Sequence, residues 1–175
     1  VNCLGKQNSP ILDDEVRKFL KDQKKDDGKT PKYTECQIED VLFQLKSKAR
    51  LGNAKMNDLM QCNTDLYDTL MMGIKSQPDP KSNHEDVMLF NFEDFTNNNF
   101  AIAEEVSYID PLSGKNKRPD IVVYVNGIAL AVIELKRSLV NYEEGIKQHL
   151  SNERDFIPSF FTTTQFTVAS NDGVE

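Results

Sequence analysis

Up to residue 72 the apolar positions recur at helical spacing, and from Val87 they fall into short β-type runs. Ile11, Leu12, Val16, Phe19 and Leu20 predict a short amphipathic helix after Asp13, which Asp27-Gly28 and Thr30-Pro31 break. With a dense charge run from Lys21 to Lys29, residues 1–33 are expected to form a peripheral arm. Thr34 and Gln37 have capping-box spacing, and Ile38, Val41, Leu42 and Leu45 follow at helical intervals until Gly52-Asn53. A second helix is expected over 57–72, where Leu59, Met60, Leu66, Leu70 and Met71 are apolar. Pro78, Pro80 and Asn83 mark a loop. Strands are expected over 87–92, 100–109, 121–125, 128–136 and 165–169, with a helix over 139–150. Asn97-Asn98-Asn99 is a turn, 110–117 a polar loop, and Asn126-Gly127 the strongest short hairpin signal in the chain. Helices followed by strands, a helix and a further strand predict an α/β sandwich, a mixed sheet flanked by helices. The expected division is an arm and helix over 1–56 and a core over 57–175.

Composition narrows the class. The 175 residues suffice for one domain with a core of its own, and 38% hydrophobic with 28% charged residues is a globular balance. The longest apolar run, 127–133, is too short to cross a bilayer, and no signal peptide is expected. A chain opening on Val1 rather than Met is expected to be a fragment. Cys3, Cys36 and Cys62 are odd in number and lack C-x-x-C spacing, so reduced thiols are expected rather than disulfides or a zinc site. His84 and His149 form no ligand pattern. A net charge of −7 weighs against a general nucleic-acid binder. Lys115, Lys117, Arg118, Lys136 and Arg137 nevertheless gather around one motif, where a solvated surface and an anion site are both open readings.

That motif is Arg118-Pro119-Asp120 followed by Glu134-Leu135-Lys136. Glu134 and Lys136 are two apart on a strand and so share a face. A hairpin brings Asp120 back beside them, placing two carboxylates and an ammonium at the end of an apolar strand. Burying an unpaired charge is costly, and facing carboxylates repel unless a cation lies between them. Magnesium suits such a pair, because it takes few carboxylates and completes its shell with water and phosphate oxygens. Bound there it would activate a water and stabilise charge on a phosphate, with Lys136 as an adjacent point charge. A bare E-x-K is common and usually a rim salt bridge; the upstream Pro-Asp and the hairpin between them favour a site.

Pro119-Asp120 and Glu134-Leu135-Lys136 resemble the PD-(D/E)XK nuclease motif, and the expected element order resembles that restriction-endonuclease-like core. The stretches NNNFAIAEEVSY, KRPDIVVYVNGIALAVIELKRS and FIPSFFTTTQFTVASNDG resemble the amino-terminal domain of the R subunit of type I restriction-modification enzymes, over roughly residues 57–173. The resemblance implies a metal-dependent endonuclease domain cleaving double-stranded DNA. It implies Asp120 and Glu134 as Mg2+ ligands, Lys136 as catalytic lysine, and the Leu135 carbonyl as a further ligand. It also implies a glutamine in a Q-x-x-x-Y pattern, for which Gln148 is the nearest match, with Asn152 where the tyrosine stands, and an early-helix acid, for which Glu35 and Glu39 are candidates. Methyltransferase and specificity subunits are the implied partners, and a bacterial or archaeal cytoplasm the implied location. ATP is required only by the motor of the full-length subunit, since no G-x-x-x-x-G-K-[ST] loop occurs in these residues. The alternatives are a non-cleaving docking platform of the same fold, or another nuclease of the superfamily such as a repair exonuclease.

The hairpin register decides whether the site forms. With a two-residue turn and regular strands, Asp120 faces Ile133 and points away from Glu134. A three-residue loop with Gly127 as a left-handed bulge is therefore expected, pairing Tyr124 with Ile128 and Asp120 with Val132. Ile121, Val123, Ala131, Ile133 and Leu135 are then expected to pack on a helix from the other face.

Overall fold

The computed structural model describes residues 2–49, 59–111, 113–136 and 142–171. Its centre is a mixed five-stranded sheet in the order β1-β4-β7-β8-β9, formed by β1 (Asn2–Leu4), β4 (Phe100–Glu104), β7 (Ile121–Val125), β8 (Ile128–Lys136) and β9 (Phe166–Asn171). The β1–β4 and β8–β9 pairs are parallel, and β4–β7 and β7–β8 are antiparallel. Helices flank the sheet, as the sequence pattern predicts.

Residues 2–33, expected as a peripheral arm, contribute to this body. β1 forms an edge strand, and α1 (Asp13–Asp22) buries Val16, Phe19 and Leu20. Three acids open α1, where the helix dipole favours them. α2 (Glu35–Lys48) begins at the expected capping box: the Gln37 N–H donates to Thr34 Oγ1 at 3.3 Å and the Thr34 N–H to Gln37 Oε1 at 3.0 Å. Ile38, Val41, Leu42 and Leu45 join Leu66 and Leu70 of α3 (Leu59–Met72) in one apolar cluster with α1. The helix end expected at Gly52-Asn53 and the division expected after residue 56 lie outside the described residues.

Two expected strands are corrected. Only Val87 of the segment 87–92 is strand, as the end of β3 (Glu85–Val87), which pairs with β2 (Ile74–Ser76). Leu89 and Phe90 are buried from a loop, whose turn is tied by Asn91 and Asn98: the Asn91 N–H donates to Asn98 Oδ1 at 2.8 Å, and Asn98 Nδ2 to the Asn91 carbonyl at 2.8 Å. The expected strand 100–109 is broken at Glu105, whose φ is +52°. Its second part becomes β5 (Tyr108–Ile109), which pairs with β6 (Asn116–Lys117) inside the expected polar loop. At the break, the Glu105 N–H donates to the Asp120 carbonyl at 2.8 Å, so the kink anchors the start of β7.

β7 and β8 keep their expected bounds. After them, α4 (Tyr142–Ser151) runs into a π-helical turn (Asn152–Phe156) and a short 3-10 helix (Pro158–Thr162). Ile157, Phe160 and Phe161 from these turns cover Val122, Tyr124 and Val132 in a second apolar cluster. The sheet face carrying Glu134 is thus the well-buried one, while Ile121, Val123, Ala131 and Ile133 of the other face are half-buried and Leu135 is exposed. The expectation that those five residues pack on a helix is corrected: α4 covers the opposite face, where Gly145 lies against Ala169 and the Lys136 stem.

Candidate active site

The β7–β8 hairpin assembles the site by a register different from the one expected. Val125 pairs with Ile128 across a two-residue turn, with φ of +50° at Asn126 and +83° at Gly127. Two positive φ values are the signature of a type I′ turn. Gly127 is left-handed as expected, but Tyr124 pairs with Ala129 rather than Ile128. Between Tyr124↔Ala129 and Val123↔Ala131 the register shifts by one, leaving Leu130 as the extra residue of a β-bulge. Beyond the bulge Val122 pairs with Val132 and Ile121 with Ile133. Continued by one residue, this register sets Asp120 opposite Glu134 rather than Val132. The bulge therefore corrects the face on which Asp120 would otherwise point.

Asp120 is held at both ends. Its carbonyl accepts from Glu105, and its Oδ2 accepts the Leu135 N–H at 2.8 Å. Glu134 is fully buried: Oε2 accepts from Gln148 Nε2 at 2.6 Å, and Asn152 Nδ2 lies 3.5 Å from Oε1. Lys136 Nζ donates a short hydrogen bond to Gln148 Oε1 and stands 4.0 Å from Glu134 Oε2. Gln148 thus bridges the two, taking a proton donor from the lysine and giving one to the glutamate. Gln148 and Asn152 are four apart, so the helical stretch presents both to the sheet.

Burial pushes the Glu134 carboxyl up to about 7. The Asp120 charge acts in the same direction, as does a carboxyl–carboxyl hydrogen bond with Asp120, while Lys136 and Lys117 oppose it. Holding Glu134 ionised therefore costs folding free energy without a cation. Relative to an unfolded glutamate, its stabilising contribution is complete below about 4.5 and is lost as pH rises through about 7. Glu134→Gln is expected to raise the stability of the metal-free protein at about pH 8 by about 1–3 kcal/mol, or roughly 3–10 °C in melting temperature, and to leave it nearly unchanged at about pH 5. Paired thermal melts at the two pH values check this; a variant melting lower at the higher pH contradicts it.

Neither early-helix candidate reaches this site. Glu35 is exposed at the start of α2 and pairs with Lys21 at 2.9 Å, while Glu39 pairs with Arg17 at 2.7 Å. Among the described residues no group of three or more His, Cys, Asp or Glu side chains gathers to hold a metal. Two carboxylates with a lysine alongside are an incomplete oxygen shell, the donor set that suits an ion needing water and phosphate to finish its coordination. Asn152 carries the contact that residue-type reasoning missed; its spacing from Gln148 was the available signal.

A sequence model of the type I restriction enzyme R protein N terminus matches residues 2–174. The chain belongs to this family. The putative type I restriction enzyme MjaIXP endonuclease subunit of Methanocaldococcus jannaschii is 34% identical over 117 residues, covering 62% of this chain and 11% of that protein. The type I restriction enzyme HindI endonuclease subunit of Haemophilus influenzae is 27% identical over 148 residues, covering 82% of this chain and 13% of that protein. This R-protein N-terminal region thus spans about an eighth or less of the relatives it matches. Among its described residues no helix is long and apolar enough to cross a membrane.

Proposed function

We propose that this region is the metal-dependent nuclease domain of a type I restriction R subunit, built on a PD-(D/E)XK-type core and cutting double-stranded DNA. The observation that carries the reading is the Asp120–Glu134 pair, with Asp120 just ahead of β7 and its carboxyl against Glu134 and the Leu135 N–H of β8, and with Lys136 tied to Glu134 through Gln148. Asp120 and Glu134 are the Mg2+ ligands in this reading, with the Leu135 carbonyl beside them. When bound, the ion supplies a water of lowered pKa and a positive charge at the phosphate. The protein's own groups do the rest. Lys136 presents its ammonium at the rim of the carboxylate pair, where it would orient an attacking water and offset negative charge on the oxygens of the phosphate under attack. Gln148 holds Lys136 and Glu134 in one geometry, and Asn152 limits rotation of the Glu134 carboxylate.

A docking platform without cleavage has no use for a buried carboxyl, Glu134, whose ionisation beside Asp120 weakens its own fold, so the site favours an enzyme. The family favours restriction over a repair exonuclease. Cytoplasmic action with methyltransferase and specificity subunits, and ATP use by a motor elsewhere in a longer subunit, follow from the same reading.

The test is metal binding. Mg2+ or Mn2+ is expected to bind weakly without DNA and to raise the melting temperature above neutral pH, because it pairs with the ionised Glu134. Asp120→Asn and Glu134→Gln are each expected to remove that stabilisation. A metal response equal to wild type in both variants, or a zinc ion ligated wholly by protein at these residues, would overturn the assignment.

A further inference from the structure

The β5–β6 hairpin runs through Lys117-Arg118-Pro119 into Asp120, so it borders the acid pair. Its two lysines gather on one ring. Lys117 Nζ lies 4.1 Å from the centroid of Phe156, and Lys115 Nζ 5.2 Å from it. Lys115 also donates to the Asp155 carbonyl at 2.8 Å. Phe156 ends the π-helical turn that begins with Asn152, the neighbour of Glu134, and its carbonyl accepts from Ser113 Oγ of the hairpin loop at 3.4 Å. The lysine pair and Glu134 are thus both held against the same short turn.

Among the described residues, other cations around the site have partners. Arg118 pairs with Glu105 at 3.3 Å, Lys147 with Glu144 at 2.9 Å and Arg154 with Asp155 at 3.1 Å, and Lys136 is bonded to Gln148. Among the described residues, no carboxylate lies within ion-pair distance of Lys115 or Lys117. In a chain of net charge −7, two ammonium groups sit against one aromatic ring with no carboxylate in ion-pair reach of either among the described residues. Like charges held close raise the electrostatic energy unless an anion joins them. A ring face under an ammonium steadies it and leaves its outward N–H groups available. The charge of Lys117 is also felt at Glu134, which places it within electrostatic reach of the acid pair.

We propose that Lys115 and Lys117, seated on Phe156, hold the phosphodiester backbone of the DNA strand that crosses the Asp120–Glu134 pair, gripping phosphate next to the one being cut. This rests on the nuclease reading. Lysine point charges on phosphate carry no base information, so the grip positions the strand without choosing its sequence.

The experiment measures binding of the chain to labelled duplex DNA across about 50–200 mM salt, with Ca2+ replacing Mg2+ to prevent cleavage. Lys115→Gln and Lys117→Gln are each expected to lower the slope of log affinity against log salt by about 1, and the double substitution by about 2. The double Lys→Arg variant is expected to keep the wild-type slope, and the metal-induced melting shift is expected to persist in all of them. Wild-type slope and affinity in both single glutamine variants would overturn the proposal while leaving the nuclease reading standing. A wild-type chain that binds no duplex would overturn both. Should the double glutamine variant fail to fold, the single substitutions decide.

Discussion

Glu134→Ala and Lys136→Ala, made separately in a full-length subunit, are each expected to lower DNA cleavage by at least about three orders of magnitude while DNA-stimulated ATP hydrolysis continues. On the proposed reading, loss of a metal ligand, or of the charge beside it, removes several kcal/mol of transition-state stabilisation, and each 1.36 kcal/mol is about tenfold in rate. ATP hydrolysis is expected to survive because the family resemblance puts the motor outside these residues. Gln148→Ala is expected to fall between, roughly 10- to 100-fold down, since it acts on Glu134 and Lys136 rather than on the phosphate. The Glu134→Ala/Lys136→Ala double variant is expected to be little worse than either single one, because groups that act as a unit do not add. Plasmid linearisation and phosphate release, assayed on the same preparations, provide the two readouts. Cleavage at wild-type rate by either alanine variant would sink the assignment of the site.

The parts of this site that follow simple periodicity were legible in the chain. Glu134 and Lys136 share a face because strand residues alternate, and the bounds of β7 and β8 follow from a valine-rich run before Asn126-Gly127 and a run apolar on both faces after it. The register was not legible, because contacts remote in sequence settle it. Asn126 Nδ2 donates to the Leu89 carbonyl and to Asn98 Oδ1, both at 2.9 Å, and its Oδ1 accepts the Asn99 N–H at 2.7 Å. These bonds favour the two-residue turn, with Asn126 itself left-handed, over a three-residue loop. The compensating bulge falls at Leu130, an unremarkable residue in an apolar run, whose carbonyl accepts the Gln165 N–H at 2.8 Å. The breaks at 88 and 105 escaped for a related reason: the apolar residues there are buried, but by loops rather than strands. Glu35 and Glu39 drew notice as acids on one helix face, and their basic partners on α1 show that the face serves helix packing.

The turn that sets this register also contacts α1, and Gly127→Ala is expected to destabilise the fold by about 3–5 kcal/mol, roughly 10 °C or more in melting temperature. Two effects combine. A residue with a Cβ at φ of +83° bears about 1 kcal/mol or more of backbone strain. The added carbon would also lie 2.8 Å from Glu15 Cβ, 2.9 Å from the Leu12 carbonyl oxygen and 2.9 Å from the Val16 nitrogen. Two of those three atoms are backbone at the head of α1 and cannot swing aside. The Leu12 N–H donates to the Gly127 carbonyl at 2.8 Å, and Ile11 bridges Ile128, so either the turn or α1 must retreat. Retreat of α1 withdraws Val16, Phe19 and Leu20 from the first core cluster; retreat of the turn strains the pairing that sets Asp120 opposite Glu134. Asn126→Gly separates strain from clash, since it relieves the left-handed conformation at its own position but gives up the three side-chain bonds to Leu89, Asn98 and Asn99. It is expected to cost less than Gly127→Ala, about 1–3 kcal/mol. Chemical denaturation of both variants measures the difference. A Gly127→Ala protein within about 1 kcal/mol of wild type would mean that α1 does not sit against the turn.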